Sequence, residues 1–437
     1  MTHGNLSTFP TTTEINPQNH LVIGGCDLVD LAREFGTPLY LFDEDSLRRK
    51  CAEFRDEFTR LYRDTLVVYA CKAYVNPSLA RIFQEEGLGL DVVSGGELAI
   101  AQAVQFPPER VYFHGNNKGP EELDMALGWG LGRVVVDNFH ELHLLNDLAG
   151  KGGRAQDILI RVSPGVDPHT HSHTTTGILD SKFGIPIHEG LAEAAIKEAL
   201  AAPNLNLLGL HFHLGSPIFK LEPYRRAIDI TMTFAAEMQD KHGFQLRELS
   251  PGGGFAIQYT ADEPPPTVAE YASVITSSIM EHCKEPDMPP PRLVVEPGRA
   301  IVGQAGVAVY KVGSTKDVPG IRRYVSVDGG MGDNIRPAIY GSRYEAMVAN
   351  KAGDPAQERV TIAGKFCESG DILVKDVDLP RAGAEDIIAI PASGAYCLSM
   401  ASNYNVAPRP PIVLVKDGSA RLIRRRETYQ DLMLCDL

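Results

Sequence analysis

Between Leu66 and Arg299 the chain repeats one pattern eight times: a short apolar run, a polar or glycine-rich tip, then a helical stretch. The runs are LVVYACKA, LGLDVVS, RVYFHG, VVVDN, DILIRVSP, LGLHFHLG, ELSPGGGF and RLVVEPGR. Each is nearly continuous in Val, Ile and Leu, as expected of parallel strands covered on both faces. In the stretch from Tyr224, Ala227, Ile230, Phe234 and Met238 recur every three or four residues, a helical stripe that faces a sheet. Asn76-Pro77 and Pro120-Glu121-Glu122 open helices, while Gly87 and Gly243 close others. Eight such units in roughly 230–260 residues fit a closed (β/α)8 barrel of TIM type.

Beyond Arg299 the texture changes. GVAVYKV, RRYVSVDGG, ERVTIAGKF, DIIAIP and PIVLVKDGSARLIRR are separated by turns, and Asp417-Gly418 marks a hairpin. A second, mostly β domain of sandwich or barrel type is expected, joined by the N-terminal runs HLVIGG and PLYLFD. The boundaries read as 43–304 for the barrel, and 1–42 with 305–437 for the β domain.

The chain of 437 residues is 43% hydrophobic and 22% charged, enough for two cores. Its net charge of −14 disfavours nucleic acid and anionic membranes as partners. Seven scattered cysteines without a CxxC pair suit reduced thiols and a cytoplasmic location. The N-terminus carries no basic segment followed by an apolar one, and no run is long enough to span a membrane.

Barrels of this kind place their chemistry at the C-terminal strand tips. Those tips carry Lys72, Asp91, His114 with Asn116 and Asn117, Asp137 with Asn138, Ser163, His211 with His213, Gly252 to Gly254, and Glu296 with Arg299. Lys72 alone reads as an ordinary strand-end amine. At the end of an apolar strand it would be partly desolvated, which makes an amine a better Schiff-base nucleophile. Gly252, Gly253 and Gly254 end the seventh run and Glu296-Pro297-Gly298-Arg299 the eighth, where such barrels bind phosphate. Glu296 fits either a structural ion pair or a partner for a pyridine nitrogen. Of His211 and His213 on the sixth run, only one is expected to face the barrel interior. Its role is either a core hydrogen bond or stacking on a flat ring. His169, His171 and His173 lie in a Thr-rich loop without carboxylate spacing, and no metal site is expected there. In the second domain, Cys367, Glu368 and Asp371 cluster in FCESGD, and Tyr396 lies in SGAYCLSMASNYN.

Together YACKA, LDVVSGGEL, YFHGNNK, TGILDSKFGI, GLHFHLGS, SPGGGF, VVEPGR, NIRPAIYG, FCESGD and GAYCLSMASNYN resemble the diaminopimelate decarboxylases, in order, from about Phe35 to Asn405. That family belongs to the alanine-racemase-like pyridoxal-phosphate enzymes, with the ornithine and arginine decarboxylases. The resemblance implies pyridoxal 5'-phosphate bound to Lys72, a ring-stacking His213, and Glu296 against the pyridine nitrogen. It implies cofactor contacts from Asp91, Ser216, Gly252, Gly253, Gly254, Gly298 and Tyr396. Arg299, Arg336, Tyr340, Glu368 and Tyr396 resemble the substrate set, with Arg299 open between substrate and phosphate. Cys367 resembles the acid that returns a proton to the product, and Cys367 and Glu368 would come from the partner in a homodimer. The implied reaction is decarboxylation of meso-2,6-diaminopimelate to L-lysine and CO2, the last step of lysine biosynthesis. Arg336 favours this substrate, because a distal carboxylate wants a guanidinium. The alternatives are a decarboxylase of D-lysine, D-ornithine, arginine, ornithine or a carrier-linked glutamyl acid, and a noncatalytic pyridoxal-phosphate protein. A racemase would set arginine, not Glu296, against the pyridine nitrogen.

Overall fold

The computed structural model describes residues 6–167, 181–284 and 288–437. The loop histidines His169, His171 and His173 lie outside the described residues. The chain forms two compact units, one of Cys51–Ala256 with Pro266–Gly298, the other of Met1–Lys50, Ile257–Pro265 and Arg299–Leu437.

The first unit is the closed parallel barrel that the eight runs predict. Its strands are β1 (Thr65–Ala70), β2 (Gly89–Val92), β3 (Val111–Phe113), β4 (Arg133–Val136), β5 (Gln156–Ser163), β6 (Leu205–His211), β7 (Glu248–Ser250) and β8 (Arg292–Val295). Every neighbouring pair is parallel, and β8 pairs with β1 through Leu293 opposite Thr65, which closes the ring. Closure leaves no strand edge open. Val68, Tyr112, Val135, Leu159, Leu208 and Val294 pack together as a core cluster drawn from six different strands.

Helices follow the strands: α1 (Pro77–Glu85), α2 (Gly95–Ala103), α3 (Pro120–Trp129), α4 (Phe139–Gly152), α5 (Leu191–Ala201), α6 (Glu222–His242) and α7 (Val268–His282). Their starts are set locally. Asn76, Ser94 and Asn138 accept hydrogen bonds from the backbone N–H of the third residue of α1, α2 and α4. Gly243 ends α6 at φ 69°, a conformation that favours glycine. The buried stripe of α6 includes Ala227, Phe234 and Met238, but Ile230 is only half-buried and Thr231 takes the inner place. Thr231 tolerates that burial because its hydroxyl donates to the Ala227 carbonyl at 2.8 Å.

The second unit is mostly β. Its long strand β9 (Gly306–Val318) pairs antiparallel with Leu39–Asp43, with β10 (Arg322–Val327) and with β13 (Ile387–Ile390). β11 (Glu358–Ala363) and β12 (Ile372–Leu379) extend one side; β14 (Ile412–Lys416) and β15 (Ser419–Arg424) extend the other. Asp417 and Gly418, at φ 48° and 75°, make the turn between β14 and β15. PLYLFD joins this sheet as expected, whereas HLVIGG forms a small separate sheet with Glu14–Ile15 and Cys26–Asp27.

Candidate active site

The barrel tips converge. Lys72 lies on a single 3-10 turn, Cys71–Ala73, directly after β1, and its side chain is exposed. The expected desolvation of Lys72 is therefore not found, because the turn carries the side chain beyond the last paired strand residue. Gly298 packs against that turn. A Cβ on Gly298 would stand 2.9 Å from the Ala70 carbonyl oxygen and 3.2 Å from the Ala73 Cβ.

Glu296 follows β8 and is buried. Ser250 Oγ donates to its Oε1 at 2.7 Å, and His211 Nε2 lies 3.1 Å from Oε2. A carboxylate can only accept from a neutral imidazole, so Nε2 bears the His211 proton. His114 Nε2 stands 3.5 Å from Glu296 and 3.8 Å from Asp91 Oδ1. Ligand atoms of His114, His211 and Glu296 lie within 4.8 Å of one another; His211 is bonded to Glu296, while His114 Nε2 only approaches it.

Both histidines of GLHFHLGS lie at this end of the barrel, against the expectation of only one, because residues two apart on a strand share a face. β6 stops at His211, and His213 Nδ1 accepts from the Gly253 N–H at 3.2 Å. Burial pushes His114, His211 and His213 well below the usual imidazole range. Nearby positive groups add to this at His211 and His213, Lys72 among them. Burial, reinforced by Glu296, pushes Asp91 well above the usual carboxylate range, while Lys72 and Arg161 oppose it.

The glycine turn is crowded. A Cβ on Gly252 would meet the Phe212 carbonyl at 2.6 Å, and one on Gly253 would meet the Glu296 carbonyl at 2.1 Å. Two of its N–H groups are already committed, Gly252 to Ser250 Oγ at 3.1 Å and Gly253 to His213. The loop bearing Ser216 is tied to this turn through Ile218 N–H and the Gly254 carbonyl at 2.8 Å.

Two residues not singled out from the sequence belong here. Arg161 on β5 is buried, 3.8 Å from Asp137, with its guanidinium over the Phe183 ring at 4.5 Å. Glu97 at the start of α2 is pushed up to about 7 by burial, opposed by the Val93 N–H and Lys72. The polar tip in LDVVSGGEL was the available signal for Glu97; a lone arginine in a strand gave none.

A cofactor with several polar groups fits these residues. Among the described residues, Asp91 Oδ1, His114 Nε2, His211 Nδ1 and Asp137 Oδ2 are buried without a hydrogen-bond partner. Buried polar atoms are rarely left so. Side-chain-free glycines stand beside the lysine turn and the carboxylate.

In the β-rich unit, Arg299, Arg336, Tyr259 and Tyr344 form one buried group. Arg336 begins the short helix α8 (Arg336–Tyr340), and Tyr340 at its end is half-buried. Tyr396, at φ 63°, lies under the Arg299 guanidinium at 4.8 Å. Cys367 and Glu368 are exposed at the tip of a loop. Asp371 differs from them: it is buried, accepts from Met331 and Phe366 N–H groups at 2.6 and 2.8 Å, and pins the loop's base. FCESGD thus splits into a structural acid and an exposed tip.

No helix among the described residues is long and apolar enough to cross a membrane. Residues 44–303 match the family described as pyridoxal-dependent decarboxylase, pyridoxal binding domain. The chain is 46% identical to diaminopimelate decarboxylase of Bacillus subtilis (strain 168), covering 98% of this chain and 97% of that protein. It is 41% identical to the Mycobacterium tuberculosis enzyme of that name, with 98% and 97% covered. Among solved structures, diaminopimelate decarboxylase from M. jannaschii in complex with L-lysine aligns with a TM-score of 0.92 at 35% identity, covering 98% of each chain. The strand tips, the buried Glu296 network and these full-length matches agree: the chain belongs to the diaminopimelate decarboxylase family of pyridoxal-dependent decarboxylases.

Proposed function

We propose that this protein is a pyridoxal-phosphate-dependent carboxy-lyase that converts meso-2,6-diaminopimelate to L-lysine and CO2. The convergence of Lys72, His213, Gly298 and Glu296 at one end of the barrel carries this reading. When bound, the cofactor supplies an electron sink for the pair left behind as CO2 departs.

Lys72 offers the amine that holds the cofactor, and its exposure leaves the amine reachable by an incoming substrate amine. Ser250 and His211 orient Glu296, which would accept the pyridine N–H of the bound cofactor. Gly253 fixes His213 Nδ1, and the His213 ring would stack on the bound cofactor. Asp91, Ser216, Gly252, Gly253, Gly254, Gly298 and Tyr396 would make the remaining cofactor contacts. Gly298 and Arg299 are consecutive, which ties the phosphate loop to the first substrate arginine. We assign Arg299 to the substrate, because it shares its phenol partner with Arg336. Tyr340 and Glu368 complete the distal pocket. Holding the distal end fixes which bond is broken, so these contacts act on rate as well as binding.

Cys367 protonates the reacting carbon. Its exposure with Glu368 on a pinned loop supports a homodimer in which each tip serves the partner's site. None of the seven cysteines forms a disulfide among the described residues, which suits a cytoplasmic enzyme.

The test is CO2 release from a panel of meso-diaminopimelate, D-lysine, D-ornithine and arginine. Preference for any other acid would sink the substrate assignment. Lys72→Ala is expected to lack the visible absorbance that borohydride removes from the parent protein.

A further inference from the structure

Tyr259 lies in the short segment Ile257–Pro265, which follows the barrel's glycine turn yet belongs to the β-rich unit. Its buried hydroxyl oxygen has two cationic neighbours. Arg299 Nη1 donates to it at 2.6 Å and Arg336 Nη1 donates to it at 3.0 Å. The two cations therefore cannot be further apart than two hydrogen bonds laid end to end. Arg336 also donates to Tyr344, whose ring meets the Tyr259 ring edge-on at 5.4 Å. Among the described residues no carboxylate is paired with Arg336, although its side chain is buried. Burial works against the Arg336 charge, yet Tyr259, Tyr344 and Cys397 hold the guanidinium above its ordinary range.

Two guanidiniums this close repel unless something between them accepts from both. A phenol oxygen has two lone pairs and can do so without adding a full charge that would neutralise the pair. A carboxylate in its place would bind the arginines and compete with a substrate for them. Tyrosine aligns them and leaves the net positive field for an anion.

We propose that Tyr259 is a positioning residue whose phenol oxygen holds Arg299 and Arg336 together as a clamp for a single carboxylate. The inference rests on the reading that these arginines take the distal carboxylate of diaminopimelate. Tyr259 acts through the arginines, and its own contact is with them. Tyr344 accepts from the same Arg336 Nη1 and braces it there.

The test uses the cofactor-loaded protein and two ligands that undergo no turnover. L-lysine keeps the distal amino-carboxylate, whereas cadaverine has the same chain without it. Kd is measured for each by calorimetry on the parent, Tyr259→Phe and Tyr344→Phe. Tyr259→Phe keeps ring and volume, so the cofactor absorbance should stay near the parent's, while the melting temperature falls with the two lost bonds to the guanidiniums. Its L-lysine Kd should rise about tenfold or more, as expected for losing hydrogen bonds to charged donors. Its cadaverine Kd should move less than about twofold, and Tyr344→Phe should show a smaller loss of the same pattern. An unchanged L-lysine Kd, or an equal loss for both ligands, overturns the clamp. So does a parent that fails to prefer L-lysine to cadaverine, or a Tyr259→Phe protein that loses its cofactor. Because no turnover is measured, a parent that releases no CO2 from diaminopimelate would sink the proposed reaction while leaving this result standing.

Discussion

Two buried serines should respond in opposite ways to the same substitution. Ser250 ends β7 and is fully buried; its hydroxyl donates to Glu296 at 2.7 Å and accepts from the Gly252 N–H at 3.1 Å. Ser250→Ala removes a bond to a carboxylate, worth about 1.5–3 kcal/mol, and strands a buried N–H at about 1–3 kcal/mol. The combined loss of roughly 3–5 kcal/mol should lower Tm by roughly 6–20 °C for a unit of this size. Ser278, in α7, is equally buried, but its hydroxyl has no partner among the described residues. Ser278→Ala removes a desolvated group and gains about 0.5 kcal/mol of helix propensity, so Tm should hold or rise. Differential scanning calorimetry of both variants without cofactor decides the matter. A Ser250→Ala melt within about 2 °C of the parent would refute the bookkeeping. An equal fall in the two variants would do the same, since volume and not hydrogen bonding would then govern both.

Gly298→Ala sets a methyl group 2.9 Å from the Ala70 carbonyl and pushes on the Lys72 turn. Overpacking of this kind costs about 1–3 kcal/mol, so half-saturation by pyridoxal phosphate should need roughly tenfold more cofactor; a parental absorbance titration would contradict this. At the strand-start end of β7, Glu248 is buried against Arg133 at 3.3 Å and Tyr112 at 2.8 Å. Glu248→Ala should destabilise the barrel by about 3 kcal/mol, read as a lower urea midpoint with pyridoxal phosphate binding otherwise intact. Asp333 is pushed up to about 6 by burial, against bonds from Tyr310, the Gly330 N–H and Tyr40. A raised folded-state value means its stabilising share is complete below about 4 and is lost as pH rises to about 6, some 2–3 kcal/mol in all. Asp333→Asn should lack that loss across the same window in pH-dependent melts, and a parallel pH profile would argue against it.

The barrel was legible because parallel strands covered on both faces must be continuously apolar, and the polar tips interrupt that pattern eight times. The site was legible at Lys72 and Glu296, where charge ends an apolar run. His211 and His213 stand two apart and so share a strand face, which made both legible as candidates for this end of the barrel. Ser250 and Tyr259 flank the glycine turn as ordinary residues in sequence. Their importance comes from partners 46 and 77 positions away, Glu296 and Arg336, which only folding brings near.

The strand Leu39–Asp43 lies between β9 and β14, pairing with both. It leaves the ribosome early, and its first partner is made roughly 260 residues later. At a synthesis rate of about 5–20 residues per second, this apolar segment waits roughly 13–50 s with both edges unsatisfied. An unpaired, hydrophobic strand is a template for pairing with another chain. The newborn polypeptide therefore carries its greatest risk of misassembly at its beginning, and that risk ends only when the last third of the chain has been translated.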